Sequence, residues 1–175
     1  MRPAIMGLLI LINFVVQASV LPQMAIFGVT PDTALIFIVS YGVLRGDIEG
    51  GIFGFIAGLV QDVSFGGPVG MFALFGFLIG YFSGKPFRDF FKDNYFLPFF
   101  LVLIAIVLQQ FAIYVSSFLF LGQLNLGLFT RTIIIPTVIY TVSLAIPLYS
   151  LLHFINGRVE RWESDHRNLF ERDRE

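Results

Sequence analysis

The chain has 175 residues, of which 57% are hydrophobic and only 13% are charged, and its formal net charge is −1. A soluble domain usually carries about 25% charged residues, so this composition excludes an ordinary soluble core and indicates a multi-pass membrane protein. The sequence contains no cysteine, which excludes disulfides, thiol catalysis and thiolate metal sites.

Six apolar segments are predicted to cross the membrane, because a helix needs roughly 17–25 mostly apolar residues to span ~30 Å of hydrocarbon. The second and third segments are short, so a five-span arrangement with one re-entrant hairpin is the competing interpretation. The predicted fold class is therefore all-α, with a six-helix transmembrane domain over residues 1–157 and a charged tail over 158–175. The predicted spans are residues 3–21, 31–45, 48–62, 68–84, 95–121 and 130–156.

The first span resembles a secretory signal peptide, since Arg2 precedes an apolar run that ends near the small residues Ala18 and Ser19. The hydrophobic region of a signal peptide normally has about 7–15 residues, whereas this run is longer and further spans follow it. We therefore predict an uncleaved anchor.

Basic residues predict the orientation, because loops rich in Lys and Arg stay in the cytoplasm. With six spans, Arg131 lies on one side and every other basic residue lies on the opposite side, so both termini are predicted to be cytoplasmic. The residues on that side are Arg2, Arg45, Lys85, Arg88, Lys92, Arg158, Arg161, Arg167, Arg172 and Arg174.

The third span carries a glycine at every fourth position. Gly50, Gly54 and Gly58 share one helix face, and Asp62 occupies the next step. Each glycine costs ~1 kcal/mol of helix propensity relative to alanine, and close packing of helices through small residues offsets that cost in a membrane. The pattern predicts a packing face inside the bundle, and a groove for a small ligand or a partner's helix is the alternative.

Three charged residues are predicted at the outer level of the membrane. Asp32 begins the second span, Asp62 ends the third, and Arg131 begins the sixth. Asp32 is suited either to cap its helix or to make a polar contact. Asp62 is either an acid in interfacial water or a buried partner of Arg131.

The C-terminal tail is strongly charged and alternates in sign, which is typical of a solvated helix. The alternative is a docking site for a cytoplasmic partner, with Trp162, Leu169 and Phe170 as the contact residues.

The motifs of enzymes and metal proteins are missing from the sequence. His153 and His166 lack a neighbouring pattern of acidic or cysteine ligands. There is no phosphate-binding loop and no nucleophile elbow, and no basic surface suited to nucleic acid. We expect no catalysis, no metal, no cofactor and no nucleic-acid partner.

The combination of "PDTALIFIVSYGVLRG", "GGIFGFIAGLVQDV" and a following Gly-Gly-Pro resembles the rod-shape-determining protein MreD family over roughly residues 1–155. The positions that carry the resemblance are Pro31, Asp32, Gly46, Gly54, Gly58, Asp62, Gly67 and Gly70.

The resemblance implies a non-enzymatic component of the bacterial inner membrane that belongs to the cell-elongation machinery. It implies a scaffold that binds the transmembrane helix or juxtamembrane part of MreC, and that acts indirectly with MreB, with RodA and with the transpeptidase of RodA. The implied fold is also similar to the substrate-binding components of energy-coupling-factor vitamin transporters. The alternative function is therefore a small-molecule capture subunit, for which the outer loops offer few polar groups: Gln23, Thr30, Gln123 and Asn125.

Overall fold

The computed structural model describes residues 2–25, 28–65, 70–85, 96–121 and 126–172. The regular elements in these ranges are helices. They are α1 (Arg2–Val15), α2 (Thr33–Arg45), α3 (Asp47–Phe65), α4 (Met71–Gly84), α5 (Phe96–Leu121), α6 (Leu126–Phe129) and α7 (Ile135–Arg172), with π-helical turns at Val16–Val20 and Thr130–Ile134 and a 3₁₀ turn at Leu21–Met24.

In the described ranges, three helical stretches are long and apolar enough to cross a membrane: Met6–Met24, Leu97–Val115 and Thr130–Arg158. The helices Thr33–Arg45 and Met71–Gly84 are apolar but shorter. The all-α fold class is confirmed in the described part of the chain, and its apolar helices support a membrane protein. The six-span topology stays a prediction.

Helix α2 forms the centre of the bundle. It packs against α3, α4, α5 and α7, and all of its residues from Thr33 to Leu44 except Phe37 are buried. A helix that is apolar on every side is expected in such a position. The helix ends at Arg45, and the positive φ of 103° at the next residue, Gly46, allows the chain to turn directly into α3.

The two ends of the bundle differ in chemistry. At one end, named here the Asp32 end, Asp32 at the start of α2 meets Gln61 of α3, Gln109 of α5 and Thr141 of α7. At the other, the Gly84 end, Gly84 of α4 lies against the turn between α2 and α3. The core between the two ends is mainly apolar, and it includes Tyr41 stacked on Phe53 with ring centroids 4.5 Å apart.

Candidate functional site

The glycines of α3 lie against the backbone of α4. A Cβ atom added at Gly54 would collide with the Gly76 carbonyl, and one added at Gly58 would collide with the Phe72 carbonyl. At Gly50, the added atom would lie 2.6 Å from the Gly80 oxygen. Only hydrogen at these positions permits such an approach, so this face is filled from within the chain.

Helix α4 supplies a matching row of glycines that the sequence analysis did not single out. Gly76 lies against Gly54, Gly80 against Gly50, and Gly84 against the Gly46–Asp47 backbone. The sequence contained the signal for this row, because Gly76, Gly80 and Gly84 are spaced four residues apart, like the glycines of α3. The two rows run in opposite directions and together form the α3–α4 contact.

Asp62 accepts hydrogen bonds from the first turn of α4. Its Oδ1 accepts the Phe72 N–H and its Oδ2 accepts the Ala73 N–H, each at 3.0 Å. These are amides of the first helical turn, which have no partner inside the helix, and a carboxylate also suits the positive end of the helix dipole. The side chain is only 4% exposed, so it is not an acid in interfacial water.

The hypothetical contact between Asp62 and Arg131 is absent from the part of the chain that the structure describes. Both carboxylate oxygens of Asp62 are engaged by amides of α4. Arg131 is exposed in the π-helical turn before α7. The sequence predicted that the two residues lie at the same depth in the membrane. It could not show that the amides of α4 already donate hydrogen bonds to the Asp62 carboxylate.

At the Asp32 end, Asp32 makes hydrogen bonds with residues of α2, α3, α5 and α7. Its Oδ1 caps α2 by accepting the Leu35 N–H at 3.0 Å, and its backbone N–H donates to the Thr141 hydroxyl at 3.0 Å. The side-chain amides of Gln61 and Gln109 donate to the two carboxylate oxygens. Within the described ranges, every hydrogen-bond partner of this carboxylate is neutral. The sequence analysis missed Gln61, Gln109 and Thr141, since each is remote from Asp32 along the chain.

A polar cavity of about 380 Å³ opens beside Asp32. Gln17 also faces it, and the Gln17 Oε1 atom is buried without a hydrogen-bond partner among the described residues. The volume lies within the range of small-ligand pockets, about 300–1,000 Å³. The cavity is lined by Gln17, Pro22, Gly28, Val29, Thr30, Pro31, Asp32, Gln61, Phe72, Gln109, Gln110, Ile113, Ile133 and Thr137.

This lining is suited to binding rather than to bond making or breaking. It offers one carboxylate together with amide and hydroxyl groups, which fix the orientation of a bound polar group. In the described ranges, no group of three or more His, Cys, Asp or Glu side chains is arranged to hold a metal ion.

Several predicted residues lie outside what the structure describes. Trp162, Leu169 and Phe170 fall within the backbone of α7, but their side chains are not described. Gly67, Gln123 and Asn125 are outside the described residues. The predicted docking role of the tail therefore stays a prediction.

Comparison with protein-family models matches residues 2–155 to the rod shape-determining protein MreD. No curated protein and no solved structure matches the chain. Because the matched segment covers most of the 175 residues, the chain belongs to the MreD family. This is a family of shape-determining membrane proteins and not a known family of enzymes.

Proposed function

We propose that the chain, as a member of the MreD family, is a non-enzymatic scaffold of the bacterial cell-elongation machinery in the inner membrane. In this proposal it binds the juxtamembrane part of MreC at the polar cavity, and it acts through MreC on MreB, on RodA and on the RodA transpeptidase. The family match supports the role in rod-shape determination. The polar cavity is the observation that supports the contact with a partner.

The cavity is preformed and chemically incomplete. The Asp32 carboxylate has only neutral partners among the described residues, and the buried Gln17 Oε1 atom has none. These hydrogen bonds offset part of the cost of removing the Asp32 carboxylate from water, but none of the described partners carries a positive charge. A partner segment that inserts a basic side chain would supply that charge, and an N–H group of the partner would satisfy the Gln17 Oε1 atom.

The glycine rows favour the cavity over a helix groove as the partner site. Gly50, Gly54 and Gly58 touch the α4 backbone so closely that no second helix fits between them. A partner's transmembrane helix would therefore have to pack elsewhere, whereas the cavity stands open at the Asp32 end.

The distribution of basic residues supports the orientation. Arg45 and Lys85 lie at the Gly84 end, and basic residues favour the cytoplasmic side. In the proposed orientation, with both termini cytoplasmic, the Asp32 end faces outward. The cavity is then on the outer side of the membrane, where the resemblance implies that MreC, a bitopic protein with an extracytoplasmic body, is found.

In-cell photocrosslinking tests the proposal. A photoreactive amino acid at Thr30, which lies at the cavity and is exposed, should crosslink to MreC. The matched control is the same amino acid at Ile139, which is 62% exposed on α7 and does not line the cavity. Equal crosslinking of MreC from both positions, or from Ile139 alone, would refute binding at the cavity.

In the alternative, the chain is a small-molecule capture subunit that binds its ligand in the same cavity, because the volume of the cavity also suits a small ligand. The family match favours the scaffold. Mass spectrometry of the purified chain separates the two proposals: a stoichiometric vitamin-like molecule would favour capture, and co-purified MreC would favour the scaffold.

A further inference from the structure

The polar cavity holds hydrogen-bond acceptors that the described part of the chain leaves without donors. An ionised carboxylate only accepts hydrogen bonds, so the side-chain amides of Gln61 and Gln109 must direct their nitrogens at Asp32. The Oε1 atom of each amide can accept a further hydrogen bond, and none is found among the described residues. Both side chains line the cavity, and so does Gln17, whose Oε1 atom is in the same condition.

The charge of the cavity has one sign. Asp32 is the only residue with a formal charge in the described lining, and both of its oxygens accept hydrogen bonds, as those of an ionised carboxylate do. A group that complements this lining must be a cation and must bring several N–H donors. Phosphates and carboxylates are excluded by their charge, and hydroxyl groups fit poorly because each brings acceptors of its own.

A guanidinium group meets these requirements better than an ammonium group. The amide oxygens come from three separate segments, with Gln17 in the π-helical turn after α1, Gln61 in α3 and Gln109 in α5. A guanidinium presents five N–H donors spread over a plane, whereas an ammonium presents three on one nitrogen. A guanidinium is also more weakly hydrated, so it loses less on leaving water. A cavity of about 380 Å³ has room for a whole arginine side chain.

Two π-helical turns border the cavity, which is an independent indication of a binding site. Gln17 belongs to the turn Val16–Val20, and Ile133 belongs to the turn Thr130–Ile134. Turns of this kind are rare, and they occur frequently at functional sites. In the described ranges both of them supply residues to this one cavity.

We infer that the polar cavity is a receptor for one arginine side chain. Its guanidinium donates hydrogen bonds to the Asp32 carboxylate and to the amide oxygens of Gln17, Gln61 and Gln109. The source of the arginine rests on the proposed function, in which the juxtamembrane part of MreC supplies it. The selectivity of the cavity for a guanidinium over an ammonium or a neutral group is a property of this chain alone.

Three small probes test this selectivity on the purified full chain in detergent micelles: the N-acetyl amides of arginine, lysine and citrulline. Citrulline has the shape of arginine, but a neutral urea replaces the guanidinium. The midpoint of thermal unfolding, followed against probe concentration, gives the apparent Kd of each probe. The arginine probe should bind about tenfold more tightly than the citrulline probe, because hydrogen bonds to charged groups are stronger than neutral ones. It should also bind more tightly than the lysine probe.

Variants of the lining locate the bound probe. Asp32→Asn should abolish the preference for arginine over citrulline, and its remaining oxygen can still accept the Leu35 N–H that begins α2. Gln17→Leu removes one acceptor and should weaken binding of the arginine probe. Gln23→Leu is the matched control, because Gln23 is exposed, donates to the Ser19 carbonyl and does not line the cavity. This variant should bind the arginine probe like the parent.

Equal binding of the three probes, or binding of none, would overturn the inference. A preference for arginine that survives Asp32→Asn, or equal binding by Gln17→Leu and Gln23→Leu, would also overturn it. MreC is absent from this experiment, so such a failure would leave the scaffold proposal and its crosslinking test from Thr30 unaffected. Conversely, selective binding of the arginine probe without crosslinking of MreC from Thr30 would support the arginine receptor and refute MreC as its partner.

Discussion

Replacing Gly54 by alanine should destabilise the bundle, although alanine is the better helix former. The added methyl group would collide with the Gly76 carbonyl of α4. To restore ordinary contact, α3 and α4 must separate by roughly 1–1.5 Å at this crossing, and a gap of 0.5–1 Å already forfeits about a quarter to a half of the attraction between packed atoms.

The size of the effect follows from two opposing terms. Overpacking a close contact typically costs about 1–3 kcal/mol, and the gain in helix propensity is at most ~1 kcal/mol. With the full propensity gain subtracted, the net loss of unfolding free energy is therefore up to about 2 kcal/mol. Gly54→Leu adds a much larger side chain at the same place and should prevent stable accumulation of the protein.

The measurement is unfolding of the purified protein by increasing mole fractions of sodium dodecyl sulfate, followed by circular dichroism. Gly7→Ala is the control, because nothing lies within 4 Å of a Cβ atom added at Gly7, and this variant should be as stable as the parent or slightly more so. The reasoning fails if Gly54→Ala unfolds like the parent, or if Gly7→Ala is destabilised to the same extent.

Three further predictions concern the polar residues and the orientation. Asp62→Asn should lower the free energy of unfolding by about 1–3 kcal/mol, because the amide nitrogen of asparagine cannot accept the second N–H of α4. Arg131→Gln should unfold like the parent. An equal loss in both variants would restore the hypothesis of an Asp62–Arg131 ion pair. Asp32→Asn should reduce recovery of MreC in a pull-down by about tenfold or more while the protein still accumulates, because it removes the negative charge with which a basic side chain of the partner would pair; unchanged recovery would contradict the role of the cavity. A cysteine introduced near residue 90 should resist an impermeant thiol reagent in intact cells and one near residue 125 should react with it, and the opposite pattern would reverse the orientation.

Local hydropathy patterns in the sequence predicted much of the helical framework. The predicted segment 95–121 nearly coincides with α5 (Phe96–Leu121), because a long apolar run has few alternatives to a membrane helix. The ends of α3 were less well predicted: the helix reaches Phe65, beyond the predicted end at residue 62. Hydropathy falls at Gln61 and Asp62, but these side chains have partners inside the fold, so the helix continues past them.

The sequence by itself determined the membrane class, the order of the apolar segments and the spacing of the glycines in α3, because composition and periodicity act locally along the chain. Only the tertiary structure decided which helix fills the glycine face, that Asp62 holds the first turn of α4, and that Asp32 meets Gln109 and Thr141 beside a cavity. Asp32 and Thr141 are 109 positions apart. Contacts over such separations leave no periodic signal in the sequence, since they arise from how the helices pack in three dimensions and not from the propensity of any one of them.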